Sequence, residues 1–203
     1  MNYGEALEKA LADFGGLRPF VAASKSGTDF ADDRFIIPFF NRKFRLSYPD
    51  GEIEEVDGEE GYPEWLPILL MHYLSQADGT AVADTWITYR QLPGANLSEQ
   101  RFMGMCINPL KRAFGEDIEG FKRGALALGG EGMNRSGDAA FRFRALPKVP
   151  MACILYLGDD EVAPAISVLF DASAPAYLPT EDLSLLGTYL NGMQKYRISA
   201  QEK

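Results

Sequence analysis

Residues 139–171, AAFRFRALPKVPMACILYLGDDEVAPAISVLFD, decide the fold class. Phe141, Phe143 and Ala145 alternate with Arg142 and Arg144, a period of two that gives a strand one dry face and one wet face. Pro147 to Pro150 turns the chain. Met151 to Leu157 is a continuous apolar run, the pattern of a central strand covered on both faces, and Ala165 to Phe170 resembles it. Three such runs joined by short connections pair as an antiparallel meander.

Working outward from this stretch, Arg34 to Phe40 and Lys43 to Tyr48 read as a strand pair around a turn at Asn41-Arg42, with Phe44 and Leu46 on one face. Pro49-Asp50-Gly51 is a turn, and Glu52 to Val56 adds a third strand with Ile53 as its buried member, followed by an exposed acidic tail through Glu60. Thr85 to Arg90 is a further short strand. Helices are expected at the N-terminus, over Pro63 to Gln76 with Pro67 in the first turn, and from Asp117 to Leu128 before Gly129-Gly130. Ser98 caps a helix carrying Phe102, Met105, Cys106, Leu110 and Phe114, which Pro109 kinks or splits, and Thr180 caps a last one carrying Leu183, Leu186 and Leu190. Gly15 to Thr28 reads as broken by Gly15-Gly16 and Pro19 and then turn-rich, a loop. The expectation is an α+β protein, mainly antiparallel sheet, with an N-terminal meander and a C-terminal three-strand meander packed with about five helices. It is a single domain over residues 1–203, with an N-terminal helix at 1–14 and a frayed tail at 197–203.

Composition narrows the functional classes. At 203 residues the chain can bury one sizeable core, and 46% apolar with 24% charged residues is an ordinary globular balance. The net charge of -9 argues against nucleic acid as a partner, because phosphate binding needs a basic face. No apolar run approaches the ~20 residues that cross a bilayer, and no signal peptide is visible, so a cytoplasmic protein without a membrane span is expected. Cys106 and Cys153 have no metal-ligand spacing and read as buried free thiols.

The acidic run Asp159-Asp160-Glu161 is the most chemical-looking feature. In a C-terminal meander Asp138 falls at the same rim, whereas Asp171 lies roughly 20 Å away at the other end of the strands. Carboxylates gathered at one rim could hold a divalent cation; a solvated loop is the plain alternative. Asp171 has a local role instead, taking backbone N–H groups at the turn through Ala172-Ser173. The glycine-rich stretch Gly129 to Gly137 matches neither a phosphate-binding loop nor a dinucleotide fingerprint, and reads as a flexible connection in which Arg135 could meet an anion or a partner. His72 is the single histidine, set in an apolar helix, a hydrogen-bonded core residue or an axial cofactor ligand. Trp86 and Arg90 share a strand face with Tyr89 on the other, which makes them weak candidates for partner or ligand binding. No serine lies in a nucleophile elbow.

Several segments together resemble a known family: Trp86 to Gly94, Gly137 to Ala140, Leu146 to Pro150, Gly158 to Glu161, Leu169 to Asp171 and Tyr177 to Asp182. They are similar to an uncharacterised bacterial and archaeal family, domain of unknown function 3786, from about Phe35 to Leu190. The resemblance implies an anaerobic setting, since members occur largely in anaerobes, and a redox or one-carbon one, since some are joined to an iron–sulfur domain of the kind found in corrinoid iron–sulfur proteins. With two cysteines this chain cannot itself supply the four thiolates such a cluster takes. The functional expectation is a non-catalytic accessory or binding module beside an iron–sulfur or corrinoid protein. The alternative is a divalent-cation-dependent enzyme built on Asp138, Asp159, Asp160 and Glu161.

Overall fold

The C-terminal meander forms the centre of an antiparallel sheet in the computed structural model, which describes residues 3–56, 58, 61–159 and 161–196. The acids Asp57, Glu59, Glu60 and Asp160, and the tail at 197–203, lie outside those residues. Four strands form a separate N-terminal sheet, β1 (Asp29–Ala31), β2 (Arg34–Phe39), β3 (Arg42–Ser47) and β4 (Ile53–Glu55), each paired antiparallel with the next in sequence order. The second sheet uses β5 (Trp86–Thr88), β6 (Glu131–Gly132), β7 (Ala139–Leu146), β8 (Val149–Tyr156) and β9 (Ala165–Asp171) in the order β5-β9-β8-β7-β6, every pairing antiparallel. The α+β expectation therefore holds.

Alternation decides which face of each strand is dry. Phe141, Phe143 and Ala145 of β7, Met151, Cys153 and Leu155 of β8, and Val168 and Phe170 of β9 all point into the main core, while Arg142 and Arg144 are exposed. The opposite face carries a smaller apolar strip of Ala140, Ala152, Ile154 and Leu169, covered by Trp86, Met133 and Tyr156 rather than by a helix. The main core is continuous from the N-terminal sheet, through Phe35, Ile37, Phe39, Phe44 and Leu46, to the helices against β7 to β9. Each fully buried phenylalanine of this set contributes roughly 2 kcal/mol by leaving water.

The helices are α1 (Tyr3–Gly15), α2 (Pro19–Ser26), α3 (Leu66–Gln76), α4 (Glu99–Phe102), α5 (Asn108–Phe114), α6 (Ile118–Ala127) and α7 (Thr180–Tyr189). Helix α2 replaces the expected loop. Pro19 sits at its first turn, where a missing N–H costs nothing, and Gly27 ends it at φ 70°, so residues read as breakers are its start and stop. Strand β6 likewise replaces part of the flexible glycine-rich connection, with Glu131 opposite Arg142 and Gly132 opposite Phe141.

The helix expected around Pro109 is divided in two. A π-helical turn, Met103–Ile107, lies between α4 and α5 and places Pro109 in the first turn of α5. The wider winding carries Met105 off the buried face, leaving it 42% exposed where α-helical spacing had put it in the core. Ser98 offers no cap bond to α4; its hydroxyl meets the Tyr89 phenol at 2.8 Å. Thr180 is also not a cap, since Pro179 holds that position and the Thr180 hydroxyl donates to the Pro93 carbonyl at 2.7 Å.

The two sheets meet at the tip of the β2–β3 hairpin. Phe39 pairs with Arg42, leaving Phe40 and Asn41 as a two-residue turn, and Phe40 adopts φ 52°. A bulky residue in the left-handed region is costly and needs its surroundings to hold it. Those surroundings are visible: the Phe40 N–H donates to Ala145 of β7, and the Asn41 side-chain amide donates to the Ala127 carbonyl at the end of α6 at 2.7 Å. Gly129, at φ 79°, lies so close under Asn41 that an added Cβ would come within 3.0 Å of the Asn41 Cβ.

Candidate functional site

This hairpin tip forms one wall of a cleft of about 1000 Å³. The opposite walls come from Gly61 to Pro63, the end of α6 at Ala127 and Leu128, and the segment from Tyr189 to Tyr196 that follows α7. Arg42 lines it. Its Nε donates to Glu55 Oε1 at 2.6 Å, and Nη2 donates both to Glu55 Oε2 and, at 2.5 Å, to the Gly61 carbonyl. Nη1 reaches the Tyr189 hydroxyl at 3.4 Å, and the guanidinium rests over the Phe44 ring, 5.0 Å from its centroid.

This fork-to-fork pairing fixes both charges. The Arg42 bond holds the Glu55 carboxyl below the usual carboxylate range, and the Glu55 carboxylate in turn raises the Arg42 pKa further. Gly58 belongs to the same arrangement, because any side chain there would run into the Glu55 carboxylate. Around the pair stands a ring cluster: Tyr189 packs on Phe39 and Phe40 with centroids 4.9 Å from each, and Tyr62 meets Phe44 edge-on at 5.9 Å. Lys43, Lys195 and Tyr196 complete the polar side.

The residues singled out from sequence do not assemble into one site. Asp138 Oδ2 accepts the Leu157 N–H at 2.7 Å, which ties the start of β7 to the end of β8. Asp159 Oδ1 accepts the N–H groups of Glu161 and Val162 at 2.9 and 2.7 Å, and these bonds hold its carboxyl below the usual range. Asp138 and Asp159 thus stand at the same rim, each tied to its own local backbone. Among the described residues no three His, Cys, Asp or Glu side chains converge as metal ligands, and Asp160 lies outside those residues. Arg135 is exposed in the connection between β6 and β7.

His72 is a hydrogen-bonded residue with Nδ1 2.6 Å from Asp182 Oδ2. Arg90 is not on the face of Trp86. The Gln91 side chain accepts the Thr88 N–H at 2.8 Å and draws the chain into a tight 3-10 turn at Tyr89, so the strand ends before Arg90. Arg90 then faces Glu99 at 3.8 Å, while Trp86 lies under the Arg142 guanidinium, 5.8 Å from it. Asp171 does take the expected local role: burial opposes its charge, but the Ser173 hydroxyl at 2.6 Å and the Ser173 and Ala83 N–H groups at 2.9 Å keep its carboxyl below the usual range. Cys106 and Cys153 are buried and free.

Reading Asn41-Arg42 as a turn hides the cleft in the sequence. The usable signal was the run Phe39-Phe40-Asn41-Arg42-Lys43-Phe44, in which cations are interleaved with rings and a phenylalanine occupies a turn position where glycine or asparagine is at home.

The chain belongs to the family described as domain of unknown function (DUF3786), which it matches over residues 18–193. The match includes every described wall residue of the cleft except Lys195 and Tyr196. No curated protein and no solved structure matches the chain.

Proposed function

We propose that the protein is a non-catalytic binding module whose small-molecule ligand enters the Arg42 cleft. The observation that carries this reading is the chemistry of the walls. The described lining residues include no serine, threonine, cysteine or histidine, and the single carboxylate, Glu55, is held in its charged form by Arg42. A general base needs a pKa near the working pH and a free lone pair aimed at substrate, and Glu55 offers neither. What the cleft does offer is volume, rings and fixed charge, the ingredients of recognition.

The partner we propose for the module is an iron–sulfur or corrinoid protein of the cytoplasm, as the family's associations imply. Two measurements test the reading. Native mass spectrometry of the protein incubated with a small-molecule extract should retain a ligand in the wild type and lose it in Tyr62→Ala, a wall residue 39% exposed whose truncation spares the core. Equal retention by both proteins, or none by the wild type, would sink the cleft as a binding site. A pull-down from anaerobic extract that recovers no iron–sulfur or corrinoid protein would remove the proposed partner and leave the cleft untouched.

A further inference from the structure

We infer that the pocket between the π turn and α7 is a second binding site, separate from the Arg42 cleft, and that it takes a free α-amino acid with an apolar side chain. The pocket holds about 220 Å³, below the roughly 300–1,000 Å³ that drug-sized ligands occupy, so its occupant is a small metabolite. Its apolar lining includes the buried Tyr89 and Phe102 rings, stacked with centroids 4.0 Å apart, and Leu185.

One wall is shaped by the π turn. In a regular α-helix the Met105 carbonyl would meet the N–H of residue 109, which is a proline and has none. The Asn191 side-chain amide donates to that carbonyl instead, at 2.8 Å, and the Cys106 thiol donates to the Gly187 carbonyl at 3.0 Å, so the widened turn is fastened to α7 and the segment after it. This winding brings the Met105 sulfur within 3.3 Å of Arg101 Nε, and the terminal nitrogens of Arg101 are left at the pocket without a partner among the described residues.

The wall on α7 offers acceptors. Ser184 Oγ donates to the Glu181 carbonyl at 2.6 Å and Thr188 Oγ1 donates to the Ser184 carbonyl at 2.9 Å, so both hydroxyl protons are committed within the helix and only lone pairs remain. The Glu181 carboxylate lines the same pocket and makes no ion pair among the described residues, with Arg101 included. Donors on one wall and acceptors on the other match a ligand that carries a carboxylate and an ammonium together, and the apolar lining takes its side chain. A carboxylate or an amine alone leaves one charged wall unanswered, and a residue inside a peptide brings neither charge.

Isothermal titration with leucine tests the site. The wild type is expected to bind leucine, and to bind isocaproate and isoamylamine, which keep the side chain but lack the ammonium or the carboxylate, at least about tenfold more weakly. Arg101→Gln and Glu181→Gln, both at exposed positions, should each weaken leucine about tenfold at unchanged melting temperature, whereas Tyr62→Ala in the Arg42 cleft should leave leucine binding as it is. Absence of binding of leucine, methionine and phenylalanine alike would overturn the proposal. Either half-ligand binding as tightly as leucine would overturn the amino-acid class, and a leucine affinity unchanged in both glutamine variants would overturn the site.

Discussion

His72 on α3 and Asp182 on α7 hold each other at 2.6 Å, Nδ1 to Oδ2, and so join two helices that lie far apart in the sequence. Asp182 is buried and the His72 side chain is 28% exposed. The bond to Asp182 raises the His72 pKa above 6.5 against the opposing effect of burial, with Asp13 adding to the rise and Lys9 reducing it. A raised folded-state value means that the protonated pair stabilises fully below pH 6.5 and loses that contribution as pH climbs through the folded value. Urea unfolding of the wild type against His72→Gln should therefore show a difference on the order of 1 kcal/mol in mild acid that shrinks above neutrality. A difference independent of pH would rule out the ion pair.

Gly187 faces Phe102 so closely that an added Cβ would lie 2.6 Å from the ring, with Cys106 Sγ at 3.4 Å. Both neighbours belong to the helix widened by the π turn. Gly187→Ala should cost about 1–3 kcal/mol by overpacking, seen as a lowered denaturant midpoint at unchanged slope. Gly4→Ala is the control: nothing lies within 4 Å of its added methyl, and a helix loses stability through glycine, so this variant should be neutral or slightly stabilised.

Burial alone pushes the Cys153 thiol up to about 12, and burial first, then the proximity of Cys153, pushes Cys106 higher. Neither group is a thiolate at neutral pH, so a bulky thiol reagent should label both only on the timescale of unfolding. Fast labelling of either in the native protein would contradict the packing described for β8 and the π turn. Cys153→Ser should be more harmful than Cys153→Ala by about 1–3 kcal/mol, since a hydroxyl there enters a dry strand face without a partner.

Asp138 spans the mouth of the β7–β8 pair with its bond to the Leu157 N–H. Asp138→Asn keeps the shape but removes the charge from that bond, and about 1 kcal/mol of stability should go with it. Magnesium, calcium or manganese at matched ionic strength should leave the melting temperature of wild type and variant equally unmoved, because Asp138 and Asp159 already serve backbone donors. A metal-specific rise in the wild type that vanishes in the variant would restore the cation-dependent enzyme as the better reading.

Much of the fold was legible because period and burial agree. In β7 the expected inward residues Phe141, Phe143 and Ala145 are buried and Pro147 follows the strand, and α6 ends just before Gly129-Gly130 as its sequence requires. The errors share a cause, which is that one residue type can do opposite things. Pro19 starts a helix in one context and breaks it in another; Pro109 is tolerated by rewinding the turn before it, and Gln91 ends a strand through a side-chain bond that no periodicity encodes. The site was harder still. Arg42 and Glu55 are 13 residues apart, but Tyr189 is 147 residues from Arg42, and nothing local marks the three as neighbours.

The joint at the hairpin tip, where the Phe40 N–H meets Ala145 and the Asn41 amide meets Ala127, bears on how the molecule assembles. The strands β7, β8 and β9 close short loops and can pair early, at little entropic cost. The cleft walls cannot, since they bring residues 38–63 onto residues 189–196 and onto the end of α6. The cleft is accordingly completed late in folding and released early in unfolding, and amide exchange should find the Phe40 N–H opening before those of β8. A ligand lodged there ties residues 38–63 to residues 189–196, so occupancy slows the first step of unfolding.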